Sequence, residues 1–187
     1  MRRANSWLLI FLAVAIVAAI AAYALRTRSS QAPEPEALPA RVGPPDIYPN
    51  PVHTPGAVNP DITDENIQQT ICNPGWSTKF VRPPTSYTTK LKIEQLHEYD
   101  YADTNPRDYE EDHLIPLELG GNPTDQRNLW PEPYETSVPD GGARAKDQVE
   151  NYLRKQVCAG TIPLQTAQQE IASDWYRVYV TLVKKSF

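Results

Sequence analysis

One histidine in this chain has an acid directly before it. Asp112-His113 closes the run Tyr109-Glu110-Glu111-Asp112-His113-Leu114-Ile115; Pro116 and a Gly120-Gly121 turn follow, and Asn128 comes fifteen residues after the histidine. An acid–histidine pair ending a short strand, then a loop, then an asparagine, is the skeleton of a small metal-dependent hydrolytic site. A neutral imidazole near neutral pH suits general-base work on a water molecule. Further along, Asp147, Glu150 and Asn151 stand at i, i+3 and i+4, so a helix there presents all three on one face. That face can bring Asp147 or Glu150 to an oxygen-rich site for Mg²⁺ or Mn²⁺ rather than Zn²⁺. The same residues equally make a solvated face with Lys146–Glu150 and Glu150–Arg154 pairs. A closed structural zinc site is excluded, because two cysteines and three scattered histidines do not give four ligands at workable spacing. His53 reads as a loop residue and His97 as a helix-surface residue. Glu110, Glu111 and Glu118 read as polar strand faces, with extra metal ligands as the alternative, and Trp130 reads as a core anchor rather than a base-stacking platform.

The elements that must position these groups can be read from pattern. Thr63-Asp64-Glu65-Asn66 looks like a helix start, with Thr63 as cap and the Ile67/Ile71 pair behind it, ending near Cys72 before Asn73-Pro74-Gly75. Trp76–Pro84 reads as irregular chain or a short edge strand. A second helix runs from Ser86 or Thr88 to about Tyr99, with Leu91, Gln95, Leu96 and Tyr99 on one face. The central stretch reads as a strand, a turn at Gly120-Gly121-Asn122-Pro123, and a return from Asn128-Leu129-Trp130. A third helix spans about Ala143 to Val157, with Gly160 as its stop. The last starts near Pro163, and Leu164, Ala167, Ile171, Trp175, Val178 and Leu182 recur along it at helical spacing. The expected fold is α+β: a mostly helical domain over 61–187 with a small β-hairpin plus helix. Cys72 and Cys158 read as a disulfide if the domain is translocated.

The residues DHLIPLELGG followed by NLWPEP resemble the HNH, or ββα-metal, endonucleases. The chain is also similar, over nearly everything after residue 60, to a group of exported bacterial proteins with the layout ICxPGW, VRPPxSYT, EEDHLIPLELGG, NLWPEP and AKDxxEN. The resemblance implies His113 as general base, Asp112 as metal ligand, Asn128 as the residue that orients the histidine through its backbone or ring, and a divalent metal ion as cofactor. It implies nucleic acid as substrate. One departure is plain. The family's further metal ligand, three residues before a lysine at the start of the next helix, falls on Ala143, which ligates nothing; Asp147, Glu150 or Asn151 would have to complete the site.

The N-terminal part is a different material. Residues 1–6 carry Arg2 and Arg3, and residues 7–25 are uncharged up to Arg26 and Arg28. Nineteen residues at about 1.5 Å each reach roughly 29 Å, close to the ~30 Å hydrocarbon core of a bilayer. This predicts a single-pass anchor with the C-terminal domain outside the cytoplasm; cleavage after Ala22-Tyr23-Ala24, which would release a secreted domain, is the alternative. Residues 31–60 hold nine of the nineteen prolines, so 26–60 reads as a proline-rich tether. Beyond residue 30 lie fourteen of the eighteen Lys/Arg and all 23 Asp/Glu, a net charge of −9. A domain that acidic is a poor tight binder of nucleic acid. Two functions therefore stand side by side: a membrane-tethered, metal-dependent nuclease acting as a monomer, and an envelope domain that keeps the scaffold without the catalysis.

Overall fold

The computed structural model describes residues 41–184. It is an α+β arrangement of three α-helices and one two-stranded antiparallel sheet among those residues: α1 (Thr85–Glu98), β1 (Tyr109–His113), β2 (Leu129–Pro133), α2 (Ala143–Cys158) and α3 (Leu164–Val178). The membrane helix expected over 7–25, its basic flank and the first part of the tether lie outside the described residues. Among the described residues no helix is long and apolar enough to cross a membrane.

The hairpin pairs Tyr109 with Pro133 and His113 with Leu129. Pro131 and Pro133 are tolerated in β2 because each strand of a two-stranded sheet has an open edge, where a missing N–H breaks no ladder bond. Alternation along β1 buries Tyr109, Glu111 and His113. Glu111, expected on a polar face, is therefore buried, with neither carboxylate oxygen hydrogen-bonded; burial pushes its pKa up to about 8. Helix α1 braces the hairpin, Lys92 Nζ donating to Tyr109 O at 2.7 Å and Gln95 Nε2 to Leu129 O at 2.9 Å. His97 is exposed, as its place on the helix predicted.

The core lies between α2 and α3. Val149, Leu153 and Val157 meet Leu164, Ala167, Ile171, Trp175 and Val178, with Ile71, Ile115 and Leu119 closing the cluster. Gly160, at φ 71°, ends α2 in the left-handed conformation that glycine adopts without strain. Cys72 and Cys158 form the disulfide. The stripe along the last helix holds to Val178 and then slips. Tyr179–Val183 is a π-turn, whose extra residue per turn advances the phase, so Val183 is buried while Leu182 is 43 % exposed.

Two stretches differ from the sequence reading. Residues 63–72 form successive turns and no α-helix, because their capping groups are used elsewhere. Asn66 Oδ1 accepts from Thr63 N, its Nδ2 donates to Asp61 O, and the Asp64 carboxylate accepts from Leu164 N at 2.9 Å, capping α3 instead. The second is the supposed tether, which does not extend to residue 60. Residues 41–58, the first of those described, form a strap across the domain. Ile47 is fully buried, and Trp175 Nε1 donates to its carbonyl at 3.1 Å. The Tyr48 hydroxyl donates to Asp174 at 2.5 Å, and Val58 bridges to Gly121. Asp174 leaves helical geometry (φ −160°, ψ 70°), and its carboxylate accepts from Val42 N and Arg177 N as well, so one side chain pins the strap and restarts the helix. His53 in the strap is half-buried, 3.2 Å from Glu98 and against the Tyr99 ring.

Candidate functional site

The loop between the strands is built around Asn128, which is fully buried. Its Oδ1 accepts from Ile115 N at 2.9 Å, and its Nδ2 donates to Ile115 O at 2.9 Å and Asn122 O at 3.1 Å. Its backbone carbonyl accepts from Leu114 N. The asparagine thus fixes the two residues after His113 rather than the imidazole itself. A Cβ on Gly121 would lie 1.7 Å from Ile115 O, so only glycine lets the loop close this tightly.

The closed loop brings the Pro123 carbonyl to His113. His113 is 2 % exposed, and its Nε2 lies 3.0 Å from Pro123 O. A carbonyl only accepts, so Nε2 carries the proton and, in the neutral ring, Nδ1 keeps its lone pair. Burial holds the His113 pKa below the usual imidazole value, against the opposing pull of Asp112 and the Pro123 carbonyl.

Across the strand lies a group that sequence reasoning placed on a solvated face. Lys146 is 0 % exposed. Its Nζ donates to Asp112 Oδ2 at 2.5 Å, Glu150 Oε1 at 2.6 Å and His113 O at 2.9 Å, with Glu132 Oε2 at 3.8 Å. Burial works against the ammonium, but Asp112, Glu150 and Glu132 outweigh it and hold the lysine well above its ordinary pKa. Burial also opposes ionisation of Asp112; Lys146 reverses that and takes the carboxyl down to about 2. Glu150 is raised to about 8 and Glu132 well above the carboxylate range, both first by burial. The signal for the burial of Lys146 was in the sequence. Lys146 precedes Val149, Leu153 and Val157 at three, seven and eleven residues, which is the buried stripe of α2.

Asp112, His113, Asp147, Glu150 and Asn151 all line one cleft of about 180 Å³, together with Thr78, Arg82, Pro116, Leu117 and Glu118. Asp147 and Asn151 are exposed there, and Asn151 Nδ2 donates to Asp147 O. Arg82 is a further lining residue that sequence reasoning did not place at the site, and Glu118, read as a polar strand face, lines it from a turn of 3-10 helix. Larger hollows, about 480 Å³ beside residues 134–142 and about 420 Å³ beside Arg41 and Tyr48, contain no histidine. Trp130 is fully buried, in agreement with a core role.

The chain matches no protein-family model, no curated protein and no solved structure. The site must be read from its own geometry.

A divalent ion does not fit the carboxylates as they stand. Asp112 and Glu150 are the natural ligands, and each spends an oxygen on Lys146. Among the described residues no three His, Cys, Asp or Glu side chains gather as a metal-holding group. The arrangement offers instead a buried imidazole with a fixed tautomer beside a polar cleft.

Proposed function

We propose that this domain is a ββα-type phosphodiester hydrolase in which His113 is the general base. The observation behind the reading is the Nε2–Pro123 O hydrogen bond, which leaves Nδ1 as the basic nitrogen of a residue lining the cleft. In the reaction, Nδ1 takes a proton from water as the water oxygen bonds to phosphorus. The opposite P–O bond breaks, and the departing oxygen takes its proton from solvent. Asn128 acts through the loop, holding the Pro123 carbonyl where it orients the ring. Arg82 is the cation among the lining residues and the natural contact for a phosphate oxygen. The resemblance supports nucleic acid as the substrate; the acidic domain suits a phosphodiester that is held loosely. An extracytoplasmic location is supported by the Cys72–Cys158 disulfide, since such bonds persist in oxidising compartments.

The test is nicking of supercoiled plasmid by the full-length chain in detergent micelles, with Mg²⁺, Mn²⁺, Ni²⁺ or Zn²⁺ and with EDTA. His113→Ala should lower the rate about 10²–10⁴-fold, the usual contribution of a general base. Nicking that survives the substitution, or none under any condition, refutes the reading. The second reading, a scaffold without catalysis, is favoured by the capture of Asp112 and Glu150 by Lys146, and complete inactivity would support it.

A further inference from the structure

We propose that the Lys146 ammonium occupies the place of the divalent cation in this site, so that the chain builds and keeps the site without metal. The proposal rests on the ββα reading of the hairpin and α2. A hard cation in such a site would gather oxygens from the end of the first strand and from the helix that follows the hairpin. Those oxygens are present, and they converge on Nζ. Asp112 Oδ2 and the His113 carbonyl come from β1 at 2.5 and 2.9 Å, and Glu150 Oε1 comes from α2 at 2.6 Å.

An ammonium has three N–H bonds, and all three are used. Glu132 from β2 stands just outside at 3.8 Å. Lys146 reaches this point from the buried stripe of α2, one helical turn before Val149. The cation is thus part of the core, inserted as the helix packs on the hairpin, and it cannot dissociate. A divalent ion entering the same oxygens would meet a fixed positive charge that has nowhere to go.

The converse follows for a chain without that charge. Lys146→Met keeps the apolar stem as far as Cε but removes the ammonium. Asp112 Oδ2, Glu150 Oε1 and the His113 carbonyl, which contacted the ammonium, then face an open position, and oxygens of this kind suit Mg²⁺ or Mn²⁺.

The test uses the full-length chain in detergent micelles, with Mn²⁺ alone as probe. Binding is read by electron paramagnetic resonance and stability by melting temperature, in Mn²⁺ and in EDTA. The wild-type chain should melt at the same temperature in both and show no site that depends on Asp112. Lys146→Met should bind one Mn²⁺ at least tenfold more tightly than wild type and melt higher in Mn²⁺ than in EDTA, and adding Asp112→Asn should abolish both gains. A wild-type chain that binds one Mn²⁺ through Asp112, or a folded Lys146→Met chain with no gain in Mn²⁺ binding, overturns the proposal. If Lys146→Met folds in neither buffer, Asp112→Asn alone decides. Equal loss of melting temperature in EDTA and Mn²⁺ supports the proposal, and a loss confined to Mn²⁺ overturns it. No substrate enters these measurements. Absence of nicking would remove the proposed activity and leave Lys146 in its role, whereas Mn²⁺ uptake by the wild-type site would do the reverse.

Discussion

Replacing Asn128 by alanine removes a side chain whose amide serves the loop at both ends. It deprives Ile115 N, Ile115 O and Asn122 O of their partners, and removes the acceptor of a longer contact from Ala57 N at 3.4 Å. Ile115 N and Ile115 O are buried, and an orphaned buried backbone group costs about 1–3 kcal/mol. With the lost packing of a fully buried side chain, the expected loss is about 3–5 kcal/mol, a large part of the ~5–15 kcal/mol that typically holds a domain together. Asn128→Asp should be at least as damaging despite its identical shape, because a carboxylate oxygen would then face the Ile115 and Asn122 carbonyls. Urea unfolding followed by tryptophan fluorescence measures this directly, since Trp130 and Trp175 are both fully buried. A loss below about 1 kcal/mol for the alanine variant, at unchanged denaturant slope, would refute the role given to Asn128. It would also undercut the orientation of His113, which depends on the same loop.

Two other outcomes follow from packing alone. A chain starting at residue 61 should lack cooperative unfolding in urea, while one starting at residue 41 should keep it; loss of the fully buried Ile47 alone is worth about 2–5 kcal/mol. Reduction of Cys72–Cys158, which spans 86 residues, should lower stability by up to about 4 kcal/mol, read as a drop in the urea midpoint on adding reductant to otherwise identical samples.

Much of this domain was legible because periodicity reports burial. The stripes Val149-Leu153-Val157 and Leu164 to Val178 located α2 and α3, and Pro163 and Gly160 marked where one begins and the other ends. The turn residues around Gly120-Gly121 located the hairpin. What the sequence concealed had two causes. Local signals at 63–66 promised a helix start, but Asp64 and Asn66 serve distant or neighbouring backbone groups, and nothing local reveals that. Composition at 41–60 promised a tether. A strap needs few apolar residues, however, and Ile47 and Tyr48 suffice because they enter a core built by α3. Lys146 was concealed differently. Its spacing marked it as buried, but its charge favoured the reading of an exposed pair with Glu150. Asp112, His113, Asp147 and Glu150 were named from the sequence and line one cleft, while the lysine that Asp112 and Glu150 hold was not placed among them.

The strap also constrains how the domain comes into being. Ile47 meets Trp175, 128 residues later, and Tyr48 meets Asp174, so the earliest described segment is held by the last α-helix. Such long-range closure slows folding, because the entropy of a large loop must be lost before the contact that rewards it forms. A chain emerging N-terminus first can dock residues 54–58 on the hairpin, but Ile47 and Tyr48 have nowhere to dock until α3 has also emerged. Closure of the strap is therefore a late step in folding, one that waits on α3 and not on the hairpin.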